Sequence, residues 1–248
     1  VPVTVLHRAD VPLDGTAPCL LYGYGAYEYV FEPEFDRALP SLLDRGVVFA
    51  HAHVRGGGER GRWWWEGGRL LHKRTTFDDF VDVRLALGHD GELGLVDASR
   101  VVSRGLSAGG LLQGAVYSQR PELWRAVVAE VPFVDVVTAM SDPSIPLTVN
   151  EWDEWGDPRD PAFFDYMLSY SPYDNPPPPE TRPALLVTGA VHDPRVLVRE
   201  PAKWVSRLRA TDPALGEGAD PHDPASPGTV LFRVETAEGS HVGPAGRF

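Results

Sequence analysis

The chain has 248 residues, 43% hydrophobic and 23% charged, which suits one α/β domain with a substantial core. Its formal net charge of −12 argues against nucleic acid or an anionic membrane as a partner, and no apolar run approaches transmembrane length. The single cysteine, Cys19, excludes a disulfide framework and reads as a buried, inert thiol. With no secretory signal at the start of the chain, the expected compartment is the cytoplasm.

Val3 to Leu6 reads as a strand that begins in mid-element, so the chain looks like a piece of a longer polypeptide. After a turn at Asp14-Gly15, the continuous apolar run Cys19-Leu-Leu-Tyr22 predicts a strand covered on both faces. It empties into Gly23-Tyr24-Gly25-Ala26-Tyr27, where glycines past a central strand let backbone approach a ligand closely. Phe35 to Arg45 looks helical, and Gly46 to Val54 reads as another buried strand. Arg55-Gly-Gly-Gly-Glu59 lacks the phosphate-loop pattern and reads as a structural turn ahead of the cluster Trp63-Trp64-Trp65. Phe77 to Leu87 has helical periodicity, with Phe77, Phe80, Val81 and Leu85 on one side.

Next comes Gly105-Leu106-Ser107-Ala108-Gly109, between the strand-like Val101-Val102 and the helix-like stretch Leu111 to Gln119. Gly-x-Ser-x-Gly in that setting predicts a nucleophile elbow, a tight strand-to-helix turn that pushes a serine hydroxyl into a cleft. Glycines flank the serine because a Cβ on either side would collide with neighbouring backbone. The amide of Ala108, at a helix N-terminus, would face a developing oxyanion. A surface Ser-Gly loop is the plainer alternative.

Ala126 to Val131 is the next strand. Pro132 to Tyr173 reads as irregular with helical patches, and includes the acidic stretch Asn150 to Trp155. Pro176 to Pro179 is a stiff connector, Ala184 to Thr188 a strand and Glu200 to Ala210 a helix. Asp212 to Pro227 has the composition of a mobile surface loop, and Val230 to Val234 is the last strand. Strands alternating with helices imply a mostly parallel sheet with helices on both faces, without an internal repeat or a second domain.

A serine nucleophile needs a base, and the base needs a carboxylate to orient it. Asp193 follows the strand at 184–188 and His241 follows the last strand, which gives the order serine, acid, histidine found in α/β-hydrolases. Among rival histidines, His51 and His53 lie in or beside a buried strand, His72 and His89 on or near helices, and His7 and His222 on loops. His192 adjoins the acid too closely to bridge it to Ser107. Asp193, standing before a proline, has a plain turn role as its alternative. No metal-binding pattern is present and no cofactor is implied. Composition alone leaves paired-acid glycosidase chemistry open, but the serine elbow makes it unnecessary.

With these residues in place, the chain resembles the catalytic domain of the prolyl oligopeptidase family of serine peptidases, within it the oligopeptidase B branch. The resemblance is carried by Leu21-Tyr-Gly-Tyr-Gly-Ala-Tyr27, His53-Val-Arg-Gly-Gly-Gly-Glu59, Gly105-Leu-Ser-Ala-Gly-Gly110, Ser141-Asp-Pro-Ser-Ile-Pro-Leu147, His192-Asp-Pro-Arg-Val196 and Glu200-Pro-Ala-Lys-Trp204. It implies an α/β-hydrolase fold, a triad of Ser107, Asp193 and His241, and an oxyanion hole formed by the Tyr24 hydroxyl and the Ala108 amide. It also implies cleavage after Lys or Arg in short peptides. Glu151 and Asp153 would serve the primary pocket, Glu32 and Glu34 the neighbouring subsite, and Tyr27 an aromatic wall. Arg195 would hold a substrate backbone carbonyl.

Each of these assignments has a plainer alternative: Tyr24 a core aromatic, the carboxylates a solvated acidic face, Arg195 a helix cap or salt bridge. The family's β-propeller, which filters substrates by size, is not found in these residues and is expected in the full-length chain. The family's C-terminal helix is likewise not found, so the resemblance does not imply activity for this stretch by itself. Leu106 stands where the family has glycine and is expected to crowd the elbow. Gly239-Ser-His241-Val-Gly replaces Ala-Gly-His-Gly-Gly. The rival functions are an esterase or acylaminoacyl-type peptidase on the same fold, and a non-catalytic remnant that binds peptides.

Overall fold

A computed structural model describes residues 1–211, 229–236, 239–241 and 243–244. The expected loop at 212–227 therefore lies outside the described residues. In chain order the elements begin β1 (Val3–Leu6), β2 (Cys19–Gly23), α1 (Leu39–Leu43), β3 (Val48–Ala52), α2 (Arg62–Glu66) and α3 (Arg74–Leu87). They continue with β4 (Val101–Leu106), α4 (Ala108–Gln119), β5 (Ala126–Glu130), α5 (Val136–Ser141), α6 (Thr148–Trp155) and α7 (Pro161–Leu168). The last are β6 (Ala184–Ala190), α8 (Arg199–Ala210), β7 (Val230–Glu235), and the short pair β8 (Gly239–Ser240) and β9 (Gly243–Pro244).

The main sheet is seven-stranded in the order β1-β3-β2-β4-β5-β6-β7, with β1 antiparallel and the other pairings parallel. This is the open, mostly parallel sheet of an α/β-hydrolase. Its strand order reverses at β2, which is flanked by β3 on one side and β4 on the other. Ligands of open α/β sheets bind beyond the carboxyl ends of the strands at such a switch point. Tyr24 leaves β2 there and Ser107 leaves β4 there.

The apolar runs form strands as their composition dictates. Cys19 and Leu21 of β2, Ala50 and Ala52 of β3, and Val127 and Ala129 of β5 share one face of the sheet and are buried there, while Tyr22, Phe49 and Val128 on the opposite face are half-buried. Helix α4 lies at the centre, with Leu111, Leu112, Ala115, Val116 and Tyr117 all at 0% exposure. Burial of each of its leucines is worth roughly 1.5–3 kcal/mol, so the helix behind Ser107 is anchored along its length. Cys19 is a free thiol, and burial pushes it up to about 12. Among the described residues no helix is long and apolar enough to cross a membrane.

Two boundaries differ from the sequence reading. The helix expected over 35–45 shrinks to α1, because Phe35 is 85% exposed and has no apolar face to pack against. The stretch 132–173, expected to be irregular, holds α5, α6 and α7. Helix α7 starts as caps dictate, with the Asp160 carboxylate accepting the Ala162 amide and Pro161 in the first turn.

Candidate active site

Ser107 sits between β4 and α4 at φ 58°, ψ −113°, a conformation that a residue bearing a Cβ adopts only under constraint. The constraint is visible. The Ser107 amide donates to the Glu130 carbonyl at 2.8 Å, and its carbonyl accepts from Phe133 at 3.2 Å and Leu111 at 3.1 Å. A Cβ on Gly105 would fall 2.4 Å from the Gly109 carbonyl oxygen, and one on Gly109 would fall 2.7 Å from that of Gly23. Both glycines are there for close approach, as the motif predicts. Leu106 keeps regular strand register opposite Glu130, so the elbow forms with leucine in the glycine position.

At the adjacent strand ends, His241 Nδ1 lies 2.7 Å from Asp193 Oδ2. The other oxygen of Asp193 accepts the amides of Arg195 at 2.8 Å and Val196 at 3.0 Å. Burial pushes the Asp193 carboxyl up, but the hydrogen bonds from His241 and the two amides outweigh it and hold the group below its ordinary range. His241 and Asp193 are both buried, at 8% and 3% exposure. Among the described residues Asp193 is the imidazole's hydrogen-bond partner, and Ser107 Oγ has none. Hydrogen bonds from nucleophile to base are commonly loose before substrate arrives and tighten in the complex. Val242, part of the altered histidine motif, lies outside the described residues.

Three of the rival histidines are engaged elsewhere. His53 bridges Thr4 and Glu59, His89 accepts the Ala98 amide, and His51 packs edge-on to Tyr22 and Phe31.

A cleft of about 430 Å³ opens at Ser107, lined in part by Tyr24, Tyr27, Phe133, Glu151, Trp155 and Arg195. That volume suits one large side chain with its flanking backbone. Tyr24 packs against Tyr29 and Phe31, and burial holds its phenol far above the ordinary range, so its hydroxyl stays a donor. Ala108 is the first residue of α4, where helical amides lack intrahelical acceptors. The aromatic walls interlock: Trp155 meets Tyr27 edge-on at 5.7 Å and Phe133 at 5.3 Å. Between them Glu151 Oε2 accepts the Tyr27 hydroxyl at 2.6 Å and the Trp155 indole N–H at 2.9 Å.

The structure does not bring three of the expected substrate carboxylates into this cleft. Asp153 follows Glu151 by two positions on α6, so it points about 200° away around the helix and is exposed. Glu32 and Glu34 are exposed and outside the cleft lining. They flank or follow Phe31, whose ring packs on Tyr22, Tyr24 and His51 and leaves the neighbouring charges in solvent.

Three buried ionisable residues near the cleft have no role assigned in the sequence reading. Glu200, at the start of α8, lines the cleft and accepts the amides of Val134 and Asp135 at 3.2 and 3.3 Å. Burial pushes its carboxyl up to about 8. Glu154 is 3% exposed; its Oε1 accepts the Tyr27 amide at 3.0 Å and its Oε2 the Trp65 indole N–H at 2.8 Å. Lys73 is 1% exposed and donates to the Gly25 carbonyl at 2.5 Å. The available signal was helical spacing: Glu151 and Glu154 share a face of α6. Among the described residues no group of three or more His, Cys, Asp or Glu side chains could hold a metal ion.

Compared with known proteins, the chain matches the model of the prolyl oligopeptidase family over residues 33–220. Over 100% of its length it is 47% identical to dipeptidyl aminopeptidase BI of Pseudoxanthomonas mexicana and 44% identical to protease 2 of Moraxella lacunata. It spans 32% and 34% of those two proteins. Among solved structures it resembles oligopeptidase B from Leishmania major, with TM-score 0.84 and 43% identity over 97% of this chain and 31% of that one. Oligopeptidase B from Trypanosoma brucei with covalently bound antipain gives TM-score 0.84 and 44% identity over 97% of this chain and 32% of that one.

Proposed function

Because this chain belongs to the prolyl oligopeptidase family of serine peptidases, we propose that it is the catalytic domain of an oligopeptidase cleaving after Lys or Arg in short peptides. The observation that carries the reading is one cleft holding both the elbow serine and a carboxylate between aromatic walls. A guanidinium or ammonium entering that cleft meets Glu151, and burial of such a cation is tolerable only beside an opposite charge.

In this reading Ser107 Oγ attacks the carbonyl carbon of the basic residue while His241 Nε2 takes the hydroxyl proton. Asp193 holds Nδ1–H and stabilises the imidazolium as it forms. The carbonyl oxygen becomes an oxyanion, met by the Tyr24 hydroxyl and the Ala108 amide. His241 then hands its proton to the departing amine, and water repeats the sequence on the acyl-enzyme to release the new carboxyl terminus. Arg195, exposed at the cleft, is suited to a substrate backbone carbonyl. The propeller implied by the family resemblance would belong to the remainder of a longer chain and admit peptides by size.

The test is hydrolysis of an amino-blocked fluorogenic Arg-amide by the full-length protein, set against a matched Leu-amide. Strong preference for Arg supports the proposal, and equal turnover of both overturns its specificity.

A second reading, release of dipeptides from free amino termini, is favoured by the name of the Pseudoxanthomonas relative at 47% identity. An enzyme of that kind would need the free amine and leave the blocked substrate uncut.

A further inference from the structure

The loop that leaves β2 has an unusual backbone. Gly25, Tyr27 and Glu28 lie at φ 71°, 62° and 56°, so two residues with side chains occupy the left-handed region within a few positions. Such a backbone persists only where its surroundings over-determine it. This loop carries Tyr24 and Tyr27, the proposed oxyanion donor and the cleft wall.

Two buried charges hold it. The Lys73 ammonium reaches from the start of α3 to the Gly25 carbonyl, and the Glu154 carboxylate reaches from the end of α6 to the Tyr27 amide. The two backbone groups stand on either side of Ala26, which is 0% exposed. The Lys73 ammonium also lies 5.0 Å from the centroid of Trp155, the ring that walls the cleft beside Tyr27. Glu154 is further fixed by the Trp65 indole. Among the described residues neither charge has a salt-bridge partner within 4.0 Å; each lies in the other's field, and their direct contacts are to backbone and ring groups around one loop. Apolar side chains of similar size would fill the same space without the desolvation cost of two ions. What they could not do is grip a carbonyl and an amide.

We infer that Lys73 and Glu154 are positioning residues for the oxyanion hole: a buried ionic clamp on the Gly25 carbonyl and Tyr27 amide that sets where the Tyr24 hydroxyl stands. This rests on the reading of Tyr24 as an oxyanion donor. The clamp acts on a group used only in the transition state, so its loss lowers kcat and leaves KM largely alone.

The test is a double-mutant cycle in the full-length protein with a blocked Arg-amide substrate. It uses Tyr24→Phe, Lys73→Met and the pair combined. Tyr24→Phe and Lys73→Met are each expected to lower kcat about 10²-fold, with KM changed less than about threefold. The combined variant is expected to be no worse than the less active single, because the clamp has nothing left to position. Glu154→Gln, nearly isosteric, is expected to lower kcat about tenfold when Tyr24 is intact and to have no further effect when combined with Tyr24→Phe; it carries the test if Lys73→Met does not fold. Tyr24→Phe impaired with Lys73→Met and Glu154→Gln unimpaired, or losses that multiply, overturn the clamp and leave the oxyanion reading standing. Full kcat in Tyr24→Phe overturns both.

Discussion

His241 Nδ1 and Asp193 Oδ2 meet at 2.7 Å although 48 residues separate them in the chain. Their meeting follows from the sheet, since β6 and β7 run parallel with Ala190 opposite Glu235, and both side chains emerge just beyond. The second oxygen of Asp193 is committed to two backbone amides. An asparagine there must turn its NH₂ toward either those amides or the imidazole. Asp193→Asn is therefore expected to lower kcat by about 10⁴-fold with a folded protein and a modest change in KM, checked by steady-state kinetics.

Glu151 accepts the hydrogen bonds from Tyr27 and Trp155 through Oε2 alone, and it lines the cleft that holds Ser107. Glu151→Ala is expected to reduce kcat/KM for Arg- and Lys-amides by at least about 10²-fold, the cost of leaving a buried cation unpaired. For neutral ester substrates the change is expected to stay within about threefold, because the triad is untouched. Parallel losses on both classes would point to a structural role for the carboxylate.

The neighbouring Gly109 ties the elbow to the Tyr24 loop. An added Cβ would stand 2.7 Å from the Gly23 carbonyl oxygen and 3.2 Å from Tyr24 Cα. Gly109→Ala is expected to push that loop from the serine, lowering kcat about 10-fold or more and stability by roughly 1–3 kcal/mol. Thermal melting and kinetics on the same preparation check both.

Glu200 sets a pH dependence of stability. Burial, joined by the Asp135 charge, outweighs the two amide hydrogen bonds and pushes its folded carboxyl up to about 8, against 4.5 for the ordinary group. Between those values the folded state holds a proton that the unfolded state has released. The contribution of Glu200 is thus fully present at low pH and is lost as pH rises through the folded value, by at most about 1.4 kcal/mol per pH unit. Glu200→Gln removes that dependence. Urea unfolding of parent and variant from pH 5 to pH 9 should show the variant gaining stability relative to the parent as pH rises, whereas parallel curves would contradict the assignment.

Much of this was legible in the residues because short-range rules governed it. The glycines around Ser107, the apolar runs of β2, β3 and β5, and the position of Asp193 and His241 after successive strands all predict the observed framework. The stretch from 132 to 173 was not legible, since its helices are short and their faces are set by what they cover. Once α6 is seen, the 3.6-residue period selects Glu151 and Glu154 and turns Asp153 to solvent. Lys73, Glu154 and Glu200 escaped for a related reason. Charged residues read as surface until long-range packing buries them against backbone groups that no local pattern announces.

The central claim is that the strained residue at the end of β4 is the nucleophile. The most direct measurement is fluorophosphonate labelling of the folded full-length protein, with the modified residue located by peptide mass. The account predicts one adduct, on the Ser107 hydroxyl, and none in Ser107→Ala. A folded parent that takes no label, or a Ser107→Ala variant labelled as readily as its parent, would contradict it.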